Sequence, residues 1–374
     1  MGSINILIAV IIFSAIILFH ELGHFLLAKA NKVGVIEFSL GMGPRIISYA
    51  KTEQGHKVKF FGSSKYFEEH KEFEDHTLYS WKVFPFGGSC MMLGEMENVE
   101  DDRAFGKKGV LARMSVIFAG PFFNFVLAFV LALFVIGLAG YDKASIGNVE
   151  PGMPMAEAGF QDGDVITEIN GRNIVVNREL IYYLQFHPLS TEPVELTAER
   201  DGEEVSATVT PKLVQDEKGN DVYRLGFSYG TGRTKSGVWD TIKYSAYEVK
   251  FWIWTTVESL GQMISGKVSA KDVSGPVGII QAVGDVVNQS RPGGMYYIIL
   301  NVLSMGILLT ANLGVMNLLP IPALDGGRLL FLIIEGIRRK PLPEKFENYV
   351  NVGGFILLMG LMVVILANDI LKLM

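Results

Sequence analysis

The sequence predicts a multi-pass α-helical membrane protein with four transmembrane helices and an inserted β-rich domain. Four stretches are apolar and long enough to cross a bilayer, which requires about 20 helical residues. A charged segment with turn signals separates the second stretch from the third. The composition fits this mixture, because 49% of the 374 residues are hydrophobic and 19% are charged. The hydrophobic fraction is high for a soluble protein, and the charged fraction is high for a protein made of membrane helices alone.

The four predicted spans lie at residues 4–28, 114–140, 293–324 and 350–367. The first has no preceding basic residue and no small-residue cleavage pattern, so we interpret it as a span rather than a signal peptide. The third is longer than one span requires. Pro320 and Pro322 predict that its helix ends before them.

The basic residues predict the orientation of these spans. Basic residues follow the first span, precede the second and lie between the third and fourth, among them Lys29, Lys32, Arg45, Lys107, Lys108, Arg113, Arg328, Arg338, Arg339, Lys340 and Lys345. On the other side of the membrane, the basic residues next to the spans are few: Lys143 follows the second span and Lys372 lies near the chain end. Cytoplasmic loops carry the excess of basic residues. Both chain termini are therefore predicted outside, and the C-terminal end of the first span is predicted on the cytoplasmic side.

Residues 144–230 form the inserted domain, which this orientation makes extracytoplasmic. Turn signals punctuate its strand-like alternation, at Asp162-Gly163-Asp164, Asn170-Gly171 and Asp201-Gly202. The order of Ile146–Gly152, Ala156–Phe160 and Gly163–Ile166 resembles a PDZ domain of the permuted bacterial type. Such domains bind extended peptides or chain ends by strand addition. A small β domain without a ligand is the alternative, and the sequence identifies no ligand.

Residues 236–268 carry apolar residues at helical spacing, interrupted by charges. Trp239, Trp252 and Trp254 suit a membrane interface. We interpret this segment as an interfacial amphipathic helix rather than a fifth span.

His20-Glu21-Leu22-Gly23-His24 is a candidate metal site at the end of the first span. Helical residues four positions apart lie about 40° apart, so the two imidazoles share one face of the helix, with the glutamate beside them. This arrangement supplies the ligand pair and the general base of zinc hydrolases. Ionisable groups at membrane depth are costly, which favours a functional site. A polar helix end at the membrane surface is the alternative.

Asp325 is the candidate third ligand. It follows the proline-broken end of the third apolar stretch, in the run from Asn317 to Gly327. Non-helical backbone at membrane depth is tolerated where it lines a cavity. A carboxylate there can complete a site of two histidines and one carboxylate that keeps its fourth position for water.

Charge and cysteine content exclude other classes of function. The net charge of -6 argues against nucleic acid as a partner. The single cysteine, Cys90, excludes an intrachain disulfide and a multi-cysteine metal site, and we interpret it as a packing residue rather than a nucleophile. His56, His70 and His76 lie in a polar stretch, and we expect solvated loop residues there rather than further metal ligands.

The H-E-L-G-H motif, the PDZ-like insert and the run N-L-L-P-I-P-A-L-D-G-G together resemble the site-2 protease family of intramembrane zinc metalloproteases, in its bacterial regulator-of-sigma branch with one PDZ domain. The resemblance implies that His20, His24 and Asp325 bind one zinc ion and that Glu21 is the catalytic base. It implies that Asn317 contacts the substrate backbone. It also implies a bacterial cytoplasmic membrane, contact with membrane lipid, and single-span membrane proteins as substrates, such as anti-sigma factors or remnant signal peptides.

The resemblance further implies that residues 85–93 form a β-hairpin-like loop that dips into the membrane beside the site. A substrate helix must unwind before cleavage, and its freed backbone groups then need partners. Strand addition to this loop supplies them. Gly87 and Gly88 allow close backbone approach, with an ordinary turn as the alternative. The stretch 51–81 is longer than usual for the family, so its details are not predicted.

The predicted organisation has four parts: residues 1–140 with the zinc motif, the PDZ domain at 144–230, the interfacial helix at 236–268, and the C-terminal membrane half at 269–374. Two other functions remain open. One is a membrane-anchored PDZ adaptor with a non-catalytic metal site, for which Glu21 is dispensable. The other is an enzyme that uses the same site on a lipid or a small amide.

Overall fold

The computed structural model describes residues 3–73, 75–95, 99–267 and 274–373. The chain forms two compact units. Met1–Leu131 and Leu260–Met374 make up the membrane unit, and Ala132–Ser259 makes up the β-rich unit. The predicted boundary at residues 268 and 269 lies outside the described residues.

The described helices are α1 (Ser3–Ala30), α2 (Ser64–Glu69), α3 (Val110–Ala139), α4 (Pro154–Glu157), α5 (Asn177–Phe186), α6 (Val238–Ile264), α7 (Pro276–Ser290), α8 (Met295–Leu318), α9 (Asp325–Arg338) and α10 (Glu344–Leu373). By length and composition, four can cross a membrane, at Ile4–Ala30, Val110–Ala139, Met295–Leu318 and Lys345–Lys372. This confirms the four predicted spans. The third membrane-spanning helix, α8, ends at Leu318, before Pro320, as the prolines predicted.

A three-stranded sheet in the order β2-β1-β3 follows α1. Its strands are β1 (Val35–Thr52), β2 (Gly55–Phe60) and β3 (Leu78–Met92). Residues 37–40 pair with 78–81 and also with 88–91. The first part of β1 therefore lies between the two ends of β3, and residues 88–92, here called the outer segment, form the sheet's edge. The predicted hairpin-like loop at 85–93 thus comprises the bend and the outer segment of β3.

The long stretch 51–81 contains the turn between β1 and β2, strand β2 and helix α2. Phe67 and Phe73 pack with Ala50 and Leu78 in a small core of their own. Long-range packing of a few aromatic residues therefore orders a stretch that showed no periodic pattern.

The β-rich unit contains eight short strands: β4 (Ile146–Val149), β5 (Val165–Ile169), β6 (Arg172–Asn173), β7 (Val194–Arg200), β8 (Glu203–Val209), β9 (Lys212–Gln215), β10 (Asp221–Arg224) and β11 (Phe227–Tyr229). The largest sheet has the order β6-β5-β7-β8, and β4 pairs with β11. Ile166, Ile169 and Leu196 extend from this sheet into a core that also contains Leu180 of α5. The alternation of apolar and polar residues that predicted strands thus provides the buried face.

Helix α6 packs largely on this same unit. Trp252 is buried, and its Nε1 donates to Glu248 Oε1 at 3.0 Å. The Arg172 guanidinium lies 3.6 Å from the centre of the Trp254 ring. Trp239 is 82% exposed. The expectation that all three tryptophans face a membrane interface is therefore wrong for Trp252, because tertiary contacts within the unit bury it.

Candidate metal centre

Helix α1 presents two histidines side by side near its C-terminal end. His20 and His24 are both buried, and their Nε2 atoms lie 3.2 Å apart. The helix continues without interruption to Ala30, so the four-residue spacing holds both rings on one face. The predicted ligand pair is thus formed by local helix geometry alone.

Asp325 reaches the same point from the other end of the chain. It is the first residue of α9, after the proline-containing turn that follows α8. Its Oδ2 atom lies 3.1 Å from His20 Nε2 and 3.4 Å from His24 Nε2. The fold therefore brings together the three residues that the sequence predicted as ligands.

The three ligand atoms fit a zinc ion. They lie within 4.8 Å of one another, and tetrahedral zinc with bonds of 2.0–2.1 Å places its ligand atoms about 3.3 Å apart. Asp325 Oδ2 is buried and has no hydrogen-bond partner among the described residues. An orphaned carboxylate oxygen that faces two imidazole nitrogens is the arrangement expected of a cation site. Among the described residues, no other cluster of three or more His, Cys, Asp or Glu side chains could hold a metal ion.

The outer ring nitrogens of the two histidines also have partners. His24 Nδ1 lies 2.9 Å from the Val116 carbonyl oxygen, and His20 Nδ1 lies 3.1 Å from the Asn124 side-chain amide. An imidazole that binds a metal through Nε2 carries its proton on Nδ1, which must then donate. A loaded site therefore requires Asn124 to turn its Oδ1 toward His20 and its NH₂ toward the Thr310 hydroxyl, which lies against the same amide.

Asn124 is not among the site residues that the sequence predicted. It is fully buried in α3, in the middle of a charge-free span. The signal available in the sequence was that a buried polar residue at membrane depth needs a partner.

Gly120 of α3 faces the same two rings. A Cβ atom on Gly120 would lie 2.3 Å from His24 Nε2 and 2.9 Å from His20 Cε1. Only a residue without a side chain leaves room for the imidazoles there.

The outer segment of β3 lies beside Glu21. Cys90 N–H donates to Glu21 Oε2 at 2.9 Å. A Cβ atom on Gly88 would lie 3.3 Å from Glu21 Cγ. Gly87 has a φ of 87° and allows the bend that precedes this segment. The two glycines therefore differ: Gly88 adjoins Glu21, whereas Gly87 allows the bend of the strand.

Asn317 completes the predicted site set. It lies in the last turn of α8 and is half-buried. The Cys90 side chain packs against a buried cluster that includes Val35 and Met92. This agrees with its interpretation as a packing residue.

Comparisons with known proteins identify the family. The model of peptidase family M50 matches residues 8–63 and 54–361. The chain is 34% identical over 370 residues to a Clostridium acetobutylicum protein, with 99% of this chain and 98% of the relative covered. It is 32% identical over 451 residues to the zinc metalloprotease RasP of Geobacillus kaustophilus, with 98% of each covered. It is 30% identical over 431 residues to the regulator of sigma-W protease RasP of Bacillus subtilis, with 99% of each covered.

A solved structure matches part of the chain. The PDZ domain of an SdrC-like protein from Listeria monocytogenes covers 24% of this chain and 90% of its own length, at 24% identity and a TM-score of 0.20. The family assignment rests on the M50 match and on the full-length relatives. The chain belongs to peptidase family M50 and is a membrane-embedded zinc metalloprotease of the site-2 type.

Proposed function

We propose that this zinc metalloprotease uses His20, His24 and Asp325 as its metal ligands and Glu21 as its catalytic base. The observation that carries the proposal is the convergence of two imidazole nitrogens and one orphaned carboxylate oxygen, with Glu21 on the same helix. When bound, zinc supplies Lewis-acid chemistry that makes water nucleophilic near neutral pH and polarises a carbonyl group.

Glu21 moves the protons of the reaction. Its carboxylate accepts a proton from the attacking water and then delivers it to the leaving amine, so one side chain serves both halves of the hydrolysis. The hydrogen bond from Cys90 N–H holds one of its oxygens and leaves the other for this transfer. Asn317, at the end of α8, is proposed to hold the substrate backbone.

The part of the 85–93 loop around Gly87 and Gly88, before the Cys90 N–H that bonds to Glu21, is proposed to bind the substrate as an added strand. Ser14 donates a hydrogen bond to the carbonyl of Pro85, so the bend of β3 lies beside Ser14. At a rise of 1.5 Å per residue, Ser14 is about 24 Å along α1 from Ala30. The edge of the sheet therefore lies at membrane depth, where unwound substrate backbone needs hydrogen-bond partners. Gly88 lets a second backbone approach beside Glu21.

Single-span membrane proteins are the proposed substrates, and anti-sigma factors are the candidate class. A single helix can unwind at one point without disrupting a larger bundle. The relative from Bacillus subtilis is named as a regulator of sigma-W, which supports this class. The distribution of lysine and arginine supports an active site toward the cytoplasm and a PDZ-like domain outside it.

Zinc analysis tests the ligand set. His20→Ala and Asp325→Ala are each expected to lose bound zinc in the purified protein, because two ligands hold the ion poorly. Asp285→Ala removes an exposed carboxylate of the same unit and serves as the matched control, with zinc content unchanged. Retention of zinc by Asp325→Ala would remove that residue from the site.

Mass analysis of the cleavage fragments tests the substrate class. The purified protein, reconstituted with a tagged single-span membrane protein, is expected to release a fragment whose new end lies within or near the span. A cut only in the soluble part of that protein would contradict the proposal. Absence of any cut, together with turnover of a lipid or a small amide, would favour the alternative enzyme.

A further inference from the structure

We propose that Glu95 and Arg328 are positioning residues that hold the outer segment of β3 in place relative to the helix that carries Asp325. The inference rests on the proposed function and deepens it. It concerns how two parts of the active site, far apart in the sequence, keep their alignment.

The outer segment is attached to its surroundings by two carboxylates. Cys90 N–H donates to Glu21 Oε2 at 2.9 Å, and Met92 N–H donates to Glu95 Oε2 at 3.3 Å. The backbone N–H groups of residues two positions apart on a strand point to the same side. Both hydrogen bonds therefore lie on the edge of the outer segment that does not pair with β1. The first contact fixes the segment to α1, which carries the two histidines.

Glu95 also contacts α9. The other oxygen of Glu95, Oε1, accepts a hydrogen bond from Arg328 Nη1 at 2.6 Å. Glu95 therefore connects the backbone of Met92 to a side chain of α9. The pair is substantially shielded, with Glu95 at 16% and Arg328 at 31% side-chain exposure, so solvent and salt weaken it less than a surface pair.

Arg328 is well placed to fix Asp325. It lies three residues after Asp325, in the first turn of α9, so the backbone hydrogen bonds of one helical turn connect the two residues. A shift of α9 along the sheet would have to break the ion pair. The outer segment is thus tied to both sources of zinc ligands, through Glu21 to α1 and through Glu95 to α9.

Alignment of this kind matters for hydrolysis. The base, the scissile carbonyl and the metal must meet within a fraction of an ångström, and a displacement of about 1 Å can cost on the order of 100-fold in rate. A loss of the pair is therefore expected to lower kcat, while the ligands themselves still hold zinc.

The chain offers a matched control pair on the same helix. Arg113 of α3 bonds to Glu335 of α9 at 2.5 Å, with 14% and 12% side-chain exposure. This pair also ties α9 to a neighbouring element, but Glu335 lies ten residues beyond Asp325, and Arg113 bonds otherwise to the carbonyl of Lys108. Variants of Arg113 and Glu335 therefore show how the loss of a buried ion pair on α9 affects stability and activity in general.

The experiment is a charge exchange in the full-length protein. Glu95→Arg and Arg328→Glu are each expected to lower kcat about 10- to 100-fold, with zinc content close to that of the unaltered protein. The double variant E95R/R328E, which restores opposite charges, is expected to regain most of kcat. Arg328→Lys keeps the charge and is expected to retain most activity, so that the effect is separable from misfolding.

Hydrogen–deuterium exchange of residues 88–93 provides a readout apart from activity. Exchange is expected to rise in both single variants and to return toward the unaltered level in E95R/R328E. The exchange R113E/E335R and its single variants are expected to lower the melting temperature without changing kcat or the exchange of residues 88–93.

Three results would overturn the proposal: a double variant no more active than the poorer single variant, equal losses of kcat in the Arg113 and Glu335 variants, or unchanged exchange at residues 88–93. The failure of the proposed function looks different, because the unaltered protein itself would then make no Glu21-dependent cut.

Discussion

At the scale of single residues, helix α3 shapes the metal centre as much as the ligands do. Gly120 leaves room for both imidazoles, and Asn124 and the Val116 carbonyl meet their outer nitrogens. The convergence of His20, His24 and Asp325 was predictable, because an H-E-x-x-H helix and a carboxylate in a proline-broken turn are local patterns. The contribution of α3 was not, because it depends on which face of one apolar helix packs against another.

Gly120→Ala is expected to abolish zinc binding. The added methyl group would lie 2.3 Å from His24 Nε2, so the imidazole must leave its position. Zinc content of the purified variant checks this. Gly137→Ala, in the same helix, is the control, because its Cβ would meet nothing closer than 3.7 Å. Full zinc occupancy in Gly120→Ala would contradict this packing.

Asn124→Leu is expected to weaken zinc binding about 10- to 100-fold, the usual cost of removing a partner of a ligating histidine. The leucine cannot accept the His20 Nδ1 proton, so the imidazole loses both its orientation and part of its basicity. Competition with a zinc chelator measures the affinity. An unchanged affinity would show that Asn124 only fills space.

At the scale of elements, helices were more predictable than strands. Apolar length predicted the four spans, and Pro320 predicted the end of α8. The β1–β3 sheet was not predictable in the same way, because residues 37–40 pair with two separate parts of β3 and neither partner is local. Trp252 shows the same limit: its helix was predicted, but its burial depends on Glu248 and on the β-rich unit.

The β-rich unit contains an ion pair whose effect depends on pH. Arg200 donates to both oxygens of the buried Asp164, at 2.7 and 2.8 Å, and lowers the pKa of that carboxyl. A carboxyl group whose pKa is lower in the folded protein than in the unfolded protein makes its full contribution to stability above the unfolded pKa of about 3.9. That stability is lost as the pH falls through the folded value.

We therefore expect the β5 and β7 strands to lose protection from hydrogen–deuterium exchange as the pH falls below about 4, after correction for intrinsic rates. Asp164→Asn is expected to be less protected at pH 7 and to lose this acid dependence. Glu217→Gln, at an exposed turn, is the control. If the loss of protection at low pH persists unchanged in Asp164→Asn, other titrating groups must cause it.

At the scale of the whole molecule, the account predicts a fixed orientation in the membrane. Cys90 is the single cysteine, so Cys90→Ser gives a background for labelling. In intact cells, a membrane-impermeant maleimide is expected to label Glu217→Cys and to leave Lys340→Cys unlabelled until the membrane is opened. The reverse pattern would invert the orientation that the basic residues predict.

The central claim is that Glu21 performs hydrolysis of a membrane-spanning substrate beside a zinc ion held by His20, His24 and Asp325. The most direct test compares the unaltered protein with Glu21→Gln, both purified and reconstituted with a tagged single-span membrane protein, and measures the fragment and the bound zinc together. The account predicts a fragment cut within or near the span from the unaltered protein, and none from Glu21→Gln, which still holds its zinc. Equal amounts of fragment from both proteins would contradict it.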